Sequence, residues 1–280
     1  MRVAPPHQFD ADTALESSGD GPWRAWAPEH WFVGRGPNGG YLAAVVARAA
    51  EAAAGRPLRS LSLHFVSAPA VGPLEVAVAL ERVGSSYSAA SARIEQDGRP
   101  MTLALATLGE LPADGAAWDA TAMPEVTPLR ATQPIRPDDA NVPAFTRNYD
   151  LRWALGGDEP VPSSGGWIRT SEPRALDAPL VAAMTDAWAP AAFVALGRFV
   201  AAPTLDLTIH IRRRLPVAGM APEDYVLGRF CSGLSVAGVW EEDGELWTPG
   251  GELIAQSRQL ALVREPPGGE PVASAEREAG

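Results

Sequence analysis

Three residues in the second half of this 280-residue chain could together activate a water molecule: Asp186, Thr204 and Gln259. Asp186 stands in Val-Ala-Ala-Met-Thr-Asp-Ala-Trp, an otherwise apolar stretch of a predicted helix. A carboxylate in a helix that must be buried needs a compensating reason. Carboxylates accept protons, while a hydroxyl and a side-chain amide can fix the orientation of a water. Hydrolysis on such a trio needs no covalent intermediate. Taken singly, each residue also has a structural reading. Asp186 suits a surface acid or a buried partner of an arginine, Thr204 an ordinary strand threonine, and Gln259 an exposed strand residue.

Other nucleophiles are poorly placed. Ser232 and Ser235 lie outside any Gly-x-Ser-x-Gly elbow and have no histidine in a convincing relation to them. Cys231 is the only cysteine, which excludes an internal disulfide and a thiolate zinc site and suits a reducing cytoplasm. His7, His30, His64 and His210 are scattered, so no metal is expected. The formal net charge of -11 argues against a protein that coats nucleic acid or an anionic membrane. No apolar run reaches the roughly 20 residues of a membrane span.

These residues are positioned by a plan that occurs twice. Aromatic residues Trp23, Trp26, Trp31 and Phe32 precede Asn38-Gly39-Gly40, after which Tyr41 to Ala54 reads as a helix so apolar that something must wrap around it. Strands follow at Ser60 to Val66, Leu74 to Val83, Ser86 to Gln96 and Met101 to Leu108, separated by turn signals. The result is an α+β unit in which a sheet curls around one helix. Residues 112 to 148 are rich in proline, alanine, aspartate and threonine and read as a linker or belt. A second apolar helix is then expected over Asp177 to Leu196, with Pro190 as a kink or end. Its strands are Thr204 to Ile211, Asp224 to Cys231, Val239 to Leu246 and Leu253 to Val263.

Leu61-Ser-Leu-His64-Phe matches Leu207-Thr-Ile-His210-Ile, and the closing hairpins correspond, so the chain is a duplicated domain with a period of about 150 residues. Superposing the halves sets Leu58 opposite Thr204 and Ala106 opposite Gln259. The polar member falls in the second half each time. In the Thr204 strand, Thr204, Asp206, Thr208 and His210 alternate with apolar residues, so Asp206 is expected beside Thr204, as a second acid or as its support. Recurrence of His64 and His210 suggests a role in the fold.

Asp186 on its helix, Thr204-x-Asp206 at a strand start and Leu253-x-Ala255-x-x-x-Gln259 in the last strand resemble acyl-CoA thioesterase II and its bacterial relatives. Asn38-Gly39-Gly40-Tyr41, Leu61 to Phe65 and Glu241 to Trp247 extend the likeness over about residues 25 to 264. The resemblance implies a double-hotdog fold and an acyl-CoA thioesterase whose catalytic trio falls on Asp186, Thr204 and Gln259. Backbone N–H groups at Asn38, Gly39 and Gly40, or at the start of the second helix, would serve as the oxyanion donors. Arg212, Arg213 and Arg214 would meet the phosphates of coenzyme A or form a solvated charge run. The same resemblance implies a homo-oligomer, a dimer or a tetramer. Acyl-CoA enters as substrate, and no cofactor is expected. Rival readings are a non-catalytic acyl-CoA or lipid-binding hotdog protein and a hotdog hydratase or dehydratase. The latter would need an aspartate and a histidine near a helix start, and only Asp206 and His210, along a strand, have a similar spacing.

The expected organisation is an N-terminal segment (1–20), an N-terminal hotdog unit (21–111), a Pro-rich linker (112–148), a C-terminal hotdog unit (149–265) and a tail (266–280).

Overall fold

A computed structural model describes residues 6–17, 19, 21–112, 114–136, 142–155 and 160–264. The tail over 266–280 lies outside the described residues. A helix over Gly39–Ala54 (α1) forms at the core because its run of alanine, valine and leucine can be covered on nearly every side, and Tyr41 to Ala47 are all buried. Asn38 caps it, its Oδ1 accepting from the Tyr41 N–H at 3.2 Å, and Gly55 ends it in the left-handed conformation at φ 60°.

One 12-stranded antiparallel sheet wraps the core. In chain order its path strands are β1 (Trp23–Ala27), β2 (Leu58–Phe65), β3 (Gly72–Val83), β4 (Tyr87–Gln96), β5 (Arg99–Gly109), β6 (Tyr149–Trp153), β7 (Ser163–Thr170), β8 (Thr204–Ile211), β9 (Val226–Cys231), β10 (Val239–Trp247) and β11 (Leu253–Leu262). They lie side by side as β1-β3-β4-β5-β2-β8-β11-β10-β9-β7-β6, and the short strand Ser235–Val236 hangs on β10. The two halves join where β2 pairs with β8. Ser62 faces Thr208 in that register, 146 residues on, with their hydroxyls 3.0 Å apart. This pair sits on the local twofold axis, since Ser60 faces His210 on one side and His64 faces Asp206 on the other. The chain is thus a double hotdog, each half supplying a curved sheet and the helices inside it.

The second helix departs from expectation. Instead of one helix over Asp177 to Leu196 there are two short ones, α2 (Ala178–Met184) and α3 (Ala191–Leu196). Pro190 stands at the N-cap of α3, where a missing N–H costs nothing. Asp186 therefore occupies the turn after α2 rather than the middle of a helix. The N-terminal end of α1 meets this turn so closely that a Cβ on Gly40 would stand 2.4 Å from the Ala183 carbonyl oxygen. Glycine is required there by contact, not by conformation.

Strands β1, β6 and β7 were not anticipated. β7 is hidden in sequence by Ser163-Ser-Gly-Gly, because glycine weakens any strand signal. Its glycines are there for close approach. Gly166 adopts φ 154°, and a Cβ on it would stand 2.0 Å from the Arg152 carbonyl oxygen of β6. The described part of 112–148 runs as a belt: Met123, Val126 and Leu129 pack on Trp167, Leu227 and Trp247, and the Trp167 indole donates to the Thr127 carbonyl at 3.0 Å.

Candidate active site

Asp186 is partly buried. Its Oδ2 accepts from the Asn38 side-chain amide at 2.9 Å and from the Gly40 N–H at 3.0 Å, and the same Asn38 amide reaches the Asp186 carbonyl at 2.7 Å. Burial pushes its pKa up to about 6, while the Gly40 and Gly39 amides and Asn38 pull the other way. The α1 N-terminus holds the carboxylate, as its unpaired amides and dipole favour. The Gly40 N–H, nominated from sequence as an oxyanion donor, is thereby spent on Asp186, so the Asn38-Gly39-Gly40 turn is a carboxylate cradle.

Thr204 and Gln259 come together through a fault in the strand. The register between β8 and β11 slips between Thr204 and Asp206, so Thr204 stands opposite Ala261 and Asp206 opposite Leu260. Leu205 is the extra residue, and it turns Thr204 to the same side as Gln259, which stands opposite the buried Leu207. The Thr204 hydroxyl donates to Gln259 Oε1 at 2.9 Å. Asp206, expected beside Thr204, is instead on the outer face opposite His64. Simple alternation missed this because one inserted residue reverses every side chain upstream of it.

The chain of contacts continues to a residue the sequence reading passed over. Gln259 Nε2 donates to Glu242 Oε1 at 2.6 Å, and Glu242 Oε2 accepts from the Ala191 N–H at the start of α3, also at 2.6 Å. Glu242 is only 4% exposed, and burial pushes its pKa up to about 8, with the negative charge of Asp186 adding to the rise. Strand parity was the available signal, because Glu242 shares its face with the buried Trp240 and Leu246. Tyr149 is a second omission. It is fully buried, its hydroxyl has no hydrogen-bond partner, its ring meets Trp31 edge-on at 5.8 Å, and the Asp186 charge adds to the upward push that burial gives its pKa.

The arginine run lies elsewhere. Arg212 follows the far end of β8, eight residues from Thr204, about 26 Å along an extended strand. Its Nε donates to Gln256 Oε1 at 2.9 Å, Arg213 pairs with Asp119 of the belt at 3.1 Å, and Arg214 donates to the Leu111 carbonyl. Arg213 and Arg214 hold the belt rather than the Asp186 region. His64 and His210 both lie on the outer face of the sheet, away from Gln259. No cluster of possible metal ligands exists among the described residues.

Comparison with known proteins shows the family and the fold. The model of an acyl-CoA thioesterase N-terminal domain matches residues 27–109, and that of an acyl-CoA thioesterase C-terminal domain matches residues 120–263. The chain belongs to the acyl-CoA thioesterase family. Among relatives of the chain, an uncharacterized protein of Mycobacterium tuberculosis is 31% identical over 268 residues, spanning 84% of this chain and 88% of the relative. A conserved protein of unknown function with hot dog fold from Alicyclobacillus acidocaldarius superposes with a TM-score of 0.82 at 25% identity, over 94% of this chain and all of the other. An acyl-CoA thioesterase II from Mycobacterium marinum shares the fold at a TM-score of 0.75 and 21% identity, over 93% of this chain and 100% of that one.

Proposed function

We propose that the protein hydrolyses an acyl-CoA thioester to the free acid and coenzyme A, with Asp186 as general base, Thr204 and Gln259 as the groups that orient the water, and no metal or cofactor. One observation carries this reading. The Asp186 carboxylate is held by the Asn38 amide and the Gly40 N–H at the start of α1, and Thr204, Gln259 and Glu242 form one linked chain of hydrogen bonds. Such buried polar groups cost stability and are retained where chemistry needs them.

In this mechanism a water gives one proton to Asp186 as its oxygen bonds to the thioester carbon. The C–S bond then breaks, and the departing sulfur takes the proton from Asp186. Thr204 spends its own proton on Gln259, so it presents only lone pairs to the water. Water bound that way donates to Asp186 and Thr204 and keeps a lone pair for the carbonyl. Gln259 retains one N–H beyond the one given to Glu242.

The Asp206–His210 spacing makes no hydratase-type site, since both residues lie on the outer face of the sheet. The single, free Cys231 is compatible with a reducing cytoplasm. Among the described residues no helix is long and apolar enough to cross a membrane. A homo-oligomer is supported by the outer sheet face, where Leu105 is 66% exposed next to Ser62.

Free-thiol release from a panel of short, long and aryl acyl-CoAs tests the proposal, comparing the parent with Asp186→Asn at matched folding. Turnover by the parent and a loss of about a hundredfold or more in the variant is expected. Binding of acyl-CoA without thiol release by the parent would put the non-catalytic binding reading first.

A further inference from the structure

Gln259 carries a donor and an acceptor on one planar amide, so which end faces Thr204 decides what Thr204 can do. Nothing about Thr204 fixes this choice, because a hydroxyl accepts either role. Glu242 fixes it. When Glu242 is ionised, both of its carboxylate oxygens act as acceptors, one for Ala191 N–H and one for Gln259 Nε2. Gln259 must then turn its Oε1 to Thr204, whose proton is consumed there. We infer that Glu242 is a positioning residue for thioester hydrolysis, setting the donor–acceptor polarity of the Gln259–Thr204 pair that orients the water. This rests on the reading of the site given above.

A protonated Glu242 would reverse the chain. With Oε2 still accepting from Ala191, the acid proton on Oε1 would donate to Gln259 Oε1, and Gln259 Nε2 would face Thr204. The Thr204 hydroxyl would then donate to the water instead of accepting from it, which draws electron density from the attacking oxygen and leaves one water hydrogen without the acceptor that fixed its orientation. No covalent bond changes in this reversal. One proton is bound from solvent and one amide rotates by half a turn. The groups that bear on Glu242 are the carboxylate of Asp186, from the turn after α2, and that of Glu241 on its own strand, while Gln259 and the α3 start supply its hydrogen bonds.

Glu242→Gln is the informative substitution because it is close to isosteric. Ala191 N–H requires an acceptor, so the new amide must turn its oxygen to Ala191 and its nitrogen to Gln259. That locks the reversed polarity. Thiol release at about pH 9, where Glu242 is ionised, is expected to show kcat in Glu242→Gln reduced by tenfold or more with KM within about twofold of the parent, and the difference should shrink as pH is lowered. The double variant Glu242→Gln/Thr204→Val should be no slower than Thr204→Val alone, because the hydroxyl has already lost its role. Effects that multiply in the double variant would overturn the proposal and leave Glu242 as a packing residue.

Turnover is not the sole readout. Two-dimensional 1H–15N NMR follows the side-chain amide protons of Gln259, identified by their disappearance in Gln259→Glu. In the parent their shifts should titrate with Glu242, and in Glu242→Gln that titration should vanish at unchanged melting temperature. Identical titration in both proteins would overturn the proposal even if the parent proves inactive. A parent that shows the titration but releases no thiol would instead sink the hydrolase reading and leave the polarity assignment standing.

Discussion

Leu58 and Thr204 occupy the same place in the two halves, each at the start of a central strand and each just before a one-residue slip in register. Their partners correspond as well, since Ala106 faces Leu61 as Gln259 faces Leu207. The first half therefore shows what this position is like without chemistry, and an aliphatic residue suits it. Thr204→Val is expected to keep the fold, with unfolding free energy within about 1 kcal/mol of the parent, because Val replaces the hydroxyl by a methyl in a bulge that already accepts Leu. Its kcat should fall by roughly tenfold or more. Thermal melts and thiol release on one preparation check both parts.

Much of this arrangement was legible in sequence. The duplication, the buried helix over Tyr41 to Ala54 and the pairing of Leu58 with Thr204 all follow from hydrophobic pattern and internal similarity. What was not legible has two physical causes. A bulge cannot be read from alternation, so Asp206 was assigned to the wrong face. A helix broken by a turn looks continuous when the turn residues are as apolar as Ala187 and Trp188, so Asp186 was placed within a helix. Glu242 was hidden among Glu241, Asp243 and Glu245, which make a charged run that only strand parity resolves.

The acid limb of activity should have two steps, the lower set by Asp186 and the upper by Glu242. A general base must be ionised, and this carboxylate has its pKa near 6. Thiol release at saturating substrate is therefore expected to climb from about pH 5 with Asp186 and on through about pH 8 with Glu242, the lower step being lost in Asp186→Asn and the upper one in Glu242→Gln. A lower step near pH 4 would mean that the Asp186 carboxylate is as well solvated as an ordinary aspartate.

The same carboxylate makes a stability prediction of opposite direction. Asp186 binds its proton more tightly when folded than at its ordinary value of 3.8. Between these two pKa values the folded state holds more protons than the unfolded one, so stability falls as pH rises through the window. The loss is complete above about 6 and amounts to about 3 kcal/mol for a shift of this size. Asp186→Asn removes this contribution. Urea midpoints of parent and variant should diverge in favour of the variant as pH is raised from 4 to 7.

Gly40 links fold to site. A methyl group at this position would meet the Ala183 carbonyl at 2.4 Å, and backbone cannot swing aside as a flexible side chain could. Gly40→Ala is expected to push α1 away from α2 and lengthen the Gly40 N–H bond to Asp186, at a cost of about 2 to 4 kcal/mol. At a temperature where the variant is still folded, kcat should fall and the acid limb should move upward, because the cradle that favours the ionised carboxylate is loosened. An unchanged limb would show that Gly40 matters for packing alone.

Tyr149 separates a buried hydroxyl from a buried ring. The ring packs on Trp31, which itself lies 5.2 Å from Tyr41, so the aromatic body is core. The hydroxyl is buried without a partner, a condition that costs folding free energy instead of adding to it. Tyr149→Phe is therefore expected to melt at the same temperature as the parent or higher, with a gain of up to about 1 kcal/mol, whereas Tyr149→Ala should lose about 3 to 5 kcal/mol as a large-to-small core change. If Tyr149→Phe were destabilised by more than about 1 kcal/mol, the hydroxyl would have a favourable partner in solution, and its nearness to Asp186 would place that partner at the site.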